Sequence, residues 1–125
     1  MKQTNSYIRQ AKKYYEIAIE KLKDAEKNGD ETKAVDACAK GWLAVILATN
    51  ALFVKSGVEP KQLPRAHRGR TYMLTKYGTR ELRRIFGSAY AVLHIDGYYE
   101  RLIDYVRIHE TLDDIKEYIS KVEEL

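Results

Sequence analysis

The sequence predicts an all-α protein, an antiparallel four- to five-helix bundle formed as a single domain over residues 1–125. Three observations predict it. Apolar residues recur at three- and four-residue spacing through most of the chain. No segment alternates apolar and polar residues as a half-buried strand does. Gly41 to Val54 carries no charge and almost no polar face. A surface helix shows an apolar stripe, whereas one apolar all round is covered on every side. At 14 residues that run is shorter than the ~20 needed to cross a bilayer. It reads as the central helix of a bundle, or as a helix shared between subunits.

The first helix spans about Thr4 to Lys27. Tyr7 or Ile8, Ala11, Tyr15, Ala18, Leu22 and Ala25 form its stripe, with Lys12, Lys13, Glu20 and Lys23 away from it. Asn28-Gly29-Asp30 ends it: Gly29 suits a left-handed C-cap and Asp30 can cap the next helix. So short a loop makes that next helix antiparallel to the first. It runs from about Glu31 to Lys55 and stops at Ser56-Gly57. Asn50, within it, is expected to be buried with a hydrogen-bond partner, because an unpaired buried amide costs ~1–3 kcal/mol. Val58 to Pro64 is a connector, since Pro60 and Pro64 oppose helix. Arg65 to Tyr77 holds a short helix ended by Gly78. Thr79 caps another, whose core stripe is Leu82, Ile85, Phe86, Ala89 and Leu93. Ile95-Asp96-Gly97 is a turn signal. From Tyr98 the chain is helical again through Leu102, Tyr105 or Val106, His109 and Leu112. Thr111-Leu112-Asp113-Asp114 resembles a helix start, so this last segment is either one long helix kinked near Thr111 or two helices, with two the favoured reading.

Composition sets the class. Hydrophobic content of 45% and charged content of 32% are those of a soluble globular protein. The single cysteine, Cys38, excludes an intrachain disulfide and a cysteine-rich zinc site, and reads as a small buried thiol. No N-terminal stretch resembles a signal peptide, so a reducing cytoplasm is the expected compartment. The net charge of +4 is unevenly spread. Residues 1–54 carry 9 basic and 7 acidic side chains, residues 55–84 carry 9 and 2, and residues 85–125 carry 4 and 9. A positive segment so concentrated attracts anions even on a mildly charged protein.

That segment gathers Lys55, Lys61, Arg65, His67, Arg68, Arg70, Lys76, Arg80, Arg83 and Arg84. Arginine forks suit phosphate oxygens, and Tyr72 and Tyr77 among them could stack on bases. The candidate anion or nucleic-acid contacts are Arg65, His67, Arg68, Arg70, Arg80, Arg83 and Arg84. The competing reading is a solvated basic surface that pairs with acidic groups such as Asp104, Asp113 or Glu117. A second constellation is the corner from Tyr90 to Arg101. There His94 could exchange protons, Asp96 could orient it, and Arg101 or Arg84 could stabilise developing negative charge. As structure alone, the corner has Asp96 capping the last helix while Tyr98, Tyr99 and His94 pack. His109 sits on the inward stripe as a structural histidine. Three scattered histidines make no metal site, and no phosphate loop or cofactor motif is present.

Gly41-Trp42-Leu43-Ala44 in the apolar helix and Ala89-Tyr90-x-x-Leu93-His94-x-x-Gly97-Tyr98-Tyr99 at the corner, with two long N-terminal helices before them, resemble the HEPN superfamily of small helical bundles. The resemblance implies a homodimer and a setting of RNA cleavage, toxin–antitoxin pairs or partnership with a small nucleotidyltransferase. Catalytic members resemble one another in an arginine followed four to six residues later by a histidine, and this chain departs from that. Arg84 precedes His94 by ten residues, and Arg101 follows it. The expected function is therefore a non-catalytic binding or regulatory module with a basic, nucleotide- or RNA-facing surface. The alternatives are a metal-independent ribonuclease and a pure protein-interaction module. The expected dimer face is Trp42, Leu43, Ile46 and Leu47, because a symmetric partner is the economical cover for a helix apolar all round.

Overall fold

A computed structural model describes residues 2–125. Its elements are α1 (Lys2–Asn28), α2 (Glu31–Lys55), a 3-10 turn (Pro60–Gln62), α3 (His67–Tyr77), α4 (Arg80–Ala89), a π-helix (Tyr90–Tyr99) and α5 (Tyr105–Glu124). No strand occurs among the described residues. Gly29 takes a left-handed φ of 65° after α1. The Asp30 carboxylate then accepts from the Lys33 N–H at 3.0 Å to start α2. Thr79 caps α4 in the same way through the Leu82 N–H.

Helix α2 is the axis of the bundle: α1, α3, α4, α5 and the π-helix all pack against it. This is the physical outcome of its missing polar face. Small residues set the approach distances. A Cβ on Gly41 would lie 2.9 Å from Leu112 and 3.1 Å from Leu93, so α5 and the π-helix close onto α2 where it has no side chain. The largest fully buried side chain, Tyr118, meets α2 through its hydroxyl, 2.6 Å from Thr49 Oγ1. Thr49 donates in turn to Val45 O at 2.7 Å, and burial pushes the Tyr118 phenol well above its usual range. Cys38 is fully buried, and desolvation pushes its thiol up to about 12. It is an inert packing group.

Four expectations change here. Ile95-Asp96-Gly97 is not a turn: α4 runs straight on into the π-helix through Tyr99. Gly97 packs rather than stops, since a Cβ there would meet Cys38 Sγ at 2.5 Å. The chain turns later, at Glu100–Asp104, with Arg101 at a φ of 55°. Second, α5 passes through Thr111 unbroken, because the Thr111 hydroxyl donates back to Arg107 O at 2.7 Å instead of capping. The cap is Asp104, which accepts from the Arg107 N–H. Third, Asn50 is only half-buried, and its buried Oδ1 has no partner among the described residues. Fourth, Trp42 and Leu47 are already covered within this chain, being only 7% and 9% exposed. What α2 leaves partly open is the stripe of Leu43, Ile46 and Asn50. Helix α2 as a whole, at 25 residues, is long and apolar enough to cross a membrane, but 61% of its most apolar window is buried inside the bundle.

Candidate functional site

Three elements bring rings and cations together beside Trp42. Helix α3 opens at His67, after an extended Ala66 that offers no side-chain cap. Arg70 follows one turn later on the same side. From the other direction, Phe86, Tyr90, His94 and Tyr98 recur every four residues across the α4–π boundary. The His67 ring stacks on Tyr90 with centroids 3.5 Å apart and planes 15° apart, and lies parallel to Phe86 at 5.7 Å. The His94 ring stacks on Trp42 at 5.3 Å and lies parallel to Tyr98 at 6.2 Å. Tyr99 meets His94 edge-on at 4.9 Å.

The electrostatics follow from this packing. Burial, then the Arg70 charge, then His94 hold the His67 imidazole below its ordinary value. Burial and Arg70 do the same to His94. Burial also lowers Arg70 itself. Two polar atoms of the cluster, His67 Nδ1 and Arg70 Nε, are buried without a partner among the described residues. Beside His67 lies a depression of about 150 Å³ lined by His67, Thr71, Leu74, Arg83, Phe86 and Gly87, which joins α3 to α4. A site of this make-up presents cations and neutral imidazoles at the mouth of an aromatic wall. It can hold an anion, and it can exchange a proton with one.

The basic segment is only partly gathered into this cluster. Arg65, Arg68, Arg80, Arg83 and Arg84 are exposed, whereas His67 and Arg70 are half-buried. Among the described residues none of these six arginines pairs with a carboxylate; Arg83 reaches only the Gly78 carbonyl, at 3.5 Å. None of the acidic groups expected to answer them is paired with these arginines among the described residues. Asp104 caps α5, Glu117 lies 3.8 Å from Lys121, and Asp113 lines a depression with Glu110 and Asp114.

The corner does not assemble as a catalytic set of His94 with Asp96 and Arg84 or Arg101. Asp96 pairs with Arg107 at 3.3 Å, Arg84 is exposed on α4, and Arg101 is exposed in the turn. The cation whose field reaches His94 is Arg70. His109 is not on the inward face: it is half-exposed and bonds Glu26 of α1 at 2.7 Å. Among the described residues no group of three or more metal-ligating side chains converges. Sequence reasoning missed the meeting of His67 and Arg70 with Trp42 and His94. The four-residue recurrence of Phe86, Tyr90, His94 and Tyr98 was the available signal for one half of it. Nothing local linked that half to α3.

No curated protein and no solved structure matches this chain. A family model does, that of the Archaeal PaREP1/PaREP8 family, over residues 6–119. The matched span holds α2, α3, α4, the π-helix and every residue of the cluster. By that match the chain belongs to the archaeal PaREP1/PaREP8 family.

Proposed function

We propose that this chain is a cytoplasmic binding module for polyanions of the RNA or nucleotide class, held on the face that α3 and α4 share. One observation carries the reading: among the described residues the six arginines from Arg65 to Arg84 have no carboxylate partner. Surface cations without counter-charges attract anions over a Debye length. Arg83 and His67 line one depression, so a guanidinium of α4 and an imidazole of α3 can meet one ligand. The test is salt-dependent binding of single-stranded RNA. Each phosphate neutralised contributes ~0.7 to the log–log slope. The variant Arg68→Glu/Arg83→Glu is expected to bind more weakly and with a flatter slope. Its melting temperature should hardly move, because exposed charges contribute only ~0–1 kcal/mol. No binding at low salt, together with a large loss of stability in that variant, would instead favour a protein-interaction module.

A second reading has its own support in the pairing of two imidazoles with Arg70. It is a metal-independent ribonuclease in which one neutral imidazole takes the 2′-hydroxyl proton and, as the imidazolium so formed, gives it to the departing 5′-oxygen. The P–O bond to that oxygen breaks as the cyclic phosphate forms, so no water or cofactor is consumed. Cleavage measured in the binding assay separates the two readings, since only the enzyme yields a cyclic-phosphate end.

The HEPN likeness supports a homodimer as the working assembly, with a small nucleotidyltransferase or a toxin–antitoxin partner as its setting. The half-exposed Leu43, Ile46 and Asn50 are the part of α2 still open to a second copy. Light scattering is expected to give twice the chain mass, and Ile46→Arg to reduce it to one. A monomeric unmodified protein removes the dimer.

A further inference from the structure

Beyond the depression at His67, the cluster also reaches solvent at Tyr98 and Tyr99. Trp42 is buried, His94 stacks on it, and Tyr98 lies parallel to His94 within 3°. Tyr98 and Tyr99 are 44% and 64% exposed, and Leu102 in the following turn and Val106 in the first turn of α5 are 57% and 69% exposed. Two adjoining exposed aromatic rings, followed by exposed aliphatic side chains in the next turn, mark this segment as a contact surface. Tyr99 stands edge-on to Tyr98 at 5.3 Å and 77°, so one ring offers a face and the other a wall. Of the carboxylates around the corner, Asp96 pairs with Arg107, Asp36 pairs with Lys21 and Lys40, Asp30 and Asp104 cap helices, and Glu100 is exposed. On the inner side, the Arg70 charge reaches His94.

We infer that Tyr98 and Tyr99 form a stacking platform for unpaired nucleobases, so that the ligand class of this chain is single-stranded nucleic acid. The inference rests on the polyanion reading above and narrows it. A flat ring in a parallel stack accepts a base face of any sequence, and Arg101, exposed and lining one depression with Tyr98, supplies a charge beside the rings for a phosphate backbone that runs on toward the arginines of α3 and α4. A protein partner would use the apolar corner but not the free arginines. Duplex nucleic acid or polyphosphate would use the arginines but not the rings.

The experiment compares a short single-stranded oligoadenylate with inorganic polyphosphate, both at low salt. Tyr98→Leu and Tyr99→Leu keep the apolar volume and remove the ring. Each is expected to weaken oligoadenylate binding about tenfold, the usual value of one base–aromatic stack. Polyphosphate binding and the salt slope should be unchanged. Trp42 is the only tryptophan, and it lies within 5.3 Å of His94. Its emission is therefore expected to change with oligoadenylate and not with polyphosphate. Unaltered oligoadenylate affinity in both variants overturns the stacking inference and leaves the polyanion reading standing if polyphosphate still binds. Equal losses for both polymers, or a change in self-association without a change in binding, overturn it as well. Failure of the unmodified chain to bind either polymer removes both readings together.

Discussion

Trp42→Ala is expected to lower the unfolding free energy by about 3–5 kcal/mol, the usual loss for a large aromatic cut out of a core. Trp42 is 7% exposed and touches the rings of His67, Phe86, Tyr90 and His94. Its removal therefore also opens the site. In the intact fold, burial and Arg70 hold both imidazoles below 6.5. The unfolded chain then binds protons that the folded chain refuses, so stability is complete above about pH 6.5 and falls as the pH drops below it. Water admitted at the vacated indole relieves the burial. The variant is expected to show imidazole titrations moved up toward 6.5 and a shallower loss of melting temperature between neutral and mildly acidic pH. Histidine NMR titration reads this directly. Trp42→Phe serves if the alanine variant does not fold, with the same direction and a smaller shift. Imidazole titrations unmoved in either variant would show that the indole does not shield the site.

The second large effect is expected at Gly97. A Cβ there meets Cys38 Sγ at 2.5 Å, Cys38 Cβ at 2.9 Å and Val92 O at 3.1 Å. Two of these atoms, Cys38 Cβ and Val92 O, belong to helix backbone or sit directly on it and cannot swing away. Gly97→Ala is expected to cost about 3 kcal/mol, the upper part of the range for overpacking a full core. That corresponds to a melting point lower by roughly 10 °C. Cys38→Ala in the same chain removes Sγ but leaves Cβ, so it should restore part of the loss and not all of it. By moving the π-helix off α2, Gly97→Ala also displaces His94 from Trp42, and its tryptophan emission should differ from that of the unmodified protein. A melting temperature within a degree or two of the original would mean that the π-helix is free to shift, and that Gly97 is not what seats it.

Local chemistry in the sequence was enough for the helices whose ends it marks. Gly29 with Asp30, Ser56-Gly57, Gly78 and Thr79 each end or start a helix by backbone rules that need only neighbouring residues. The central place of α2 was legible for a similar reason, since a helix without a polar face has to be surrounded. Ile95-Asp96-Gly97 and Thr111 were misread because their signals depend on tertiary context. Glycine marks a turn when no neighbour is close, but here Cys38 of α2 occupies the space a side chain would take. Threonine caps a helix when the preceding backbone is extended, but here helix already runs through it and its hydroxyl bonds back to Arg107. The basic segment was visible as composition. Which of its members stay free was not, because that depends on where Asp104, Asp113 and Glu117 are carried by α5. The cluster of His67, Arg70, Trp42 and His94 draws on three elements separated by tens of residues in sequence. Only the packing of α3 and the π-helix together beside Trp42 makes them neighbours, and no periodicity within one helix encodes a contact between two.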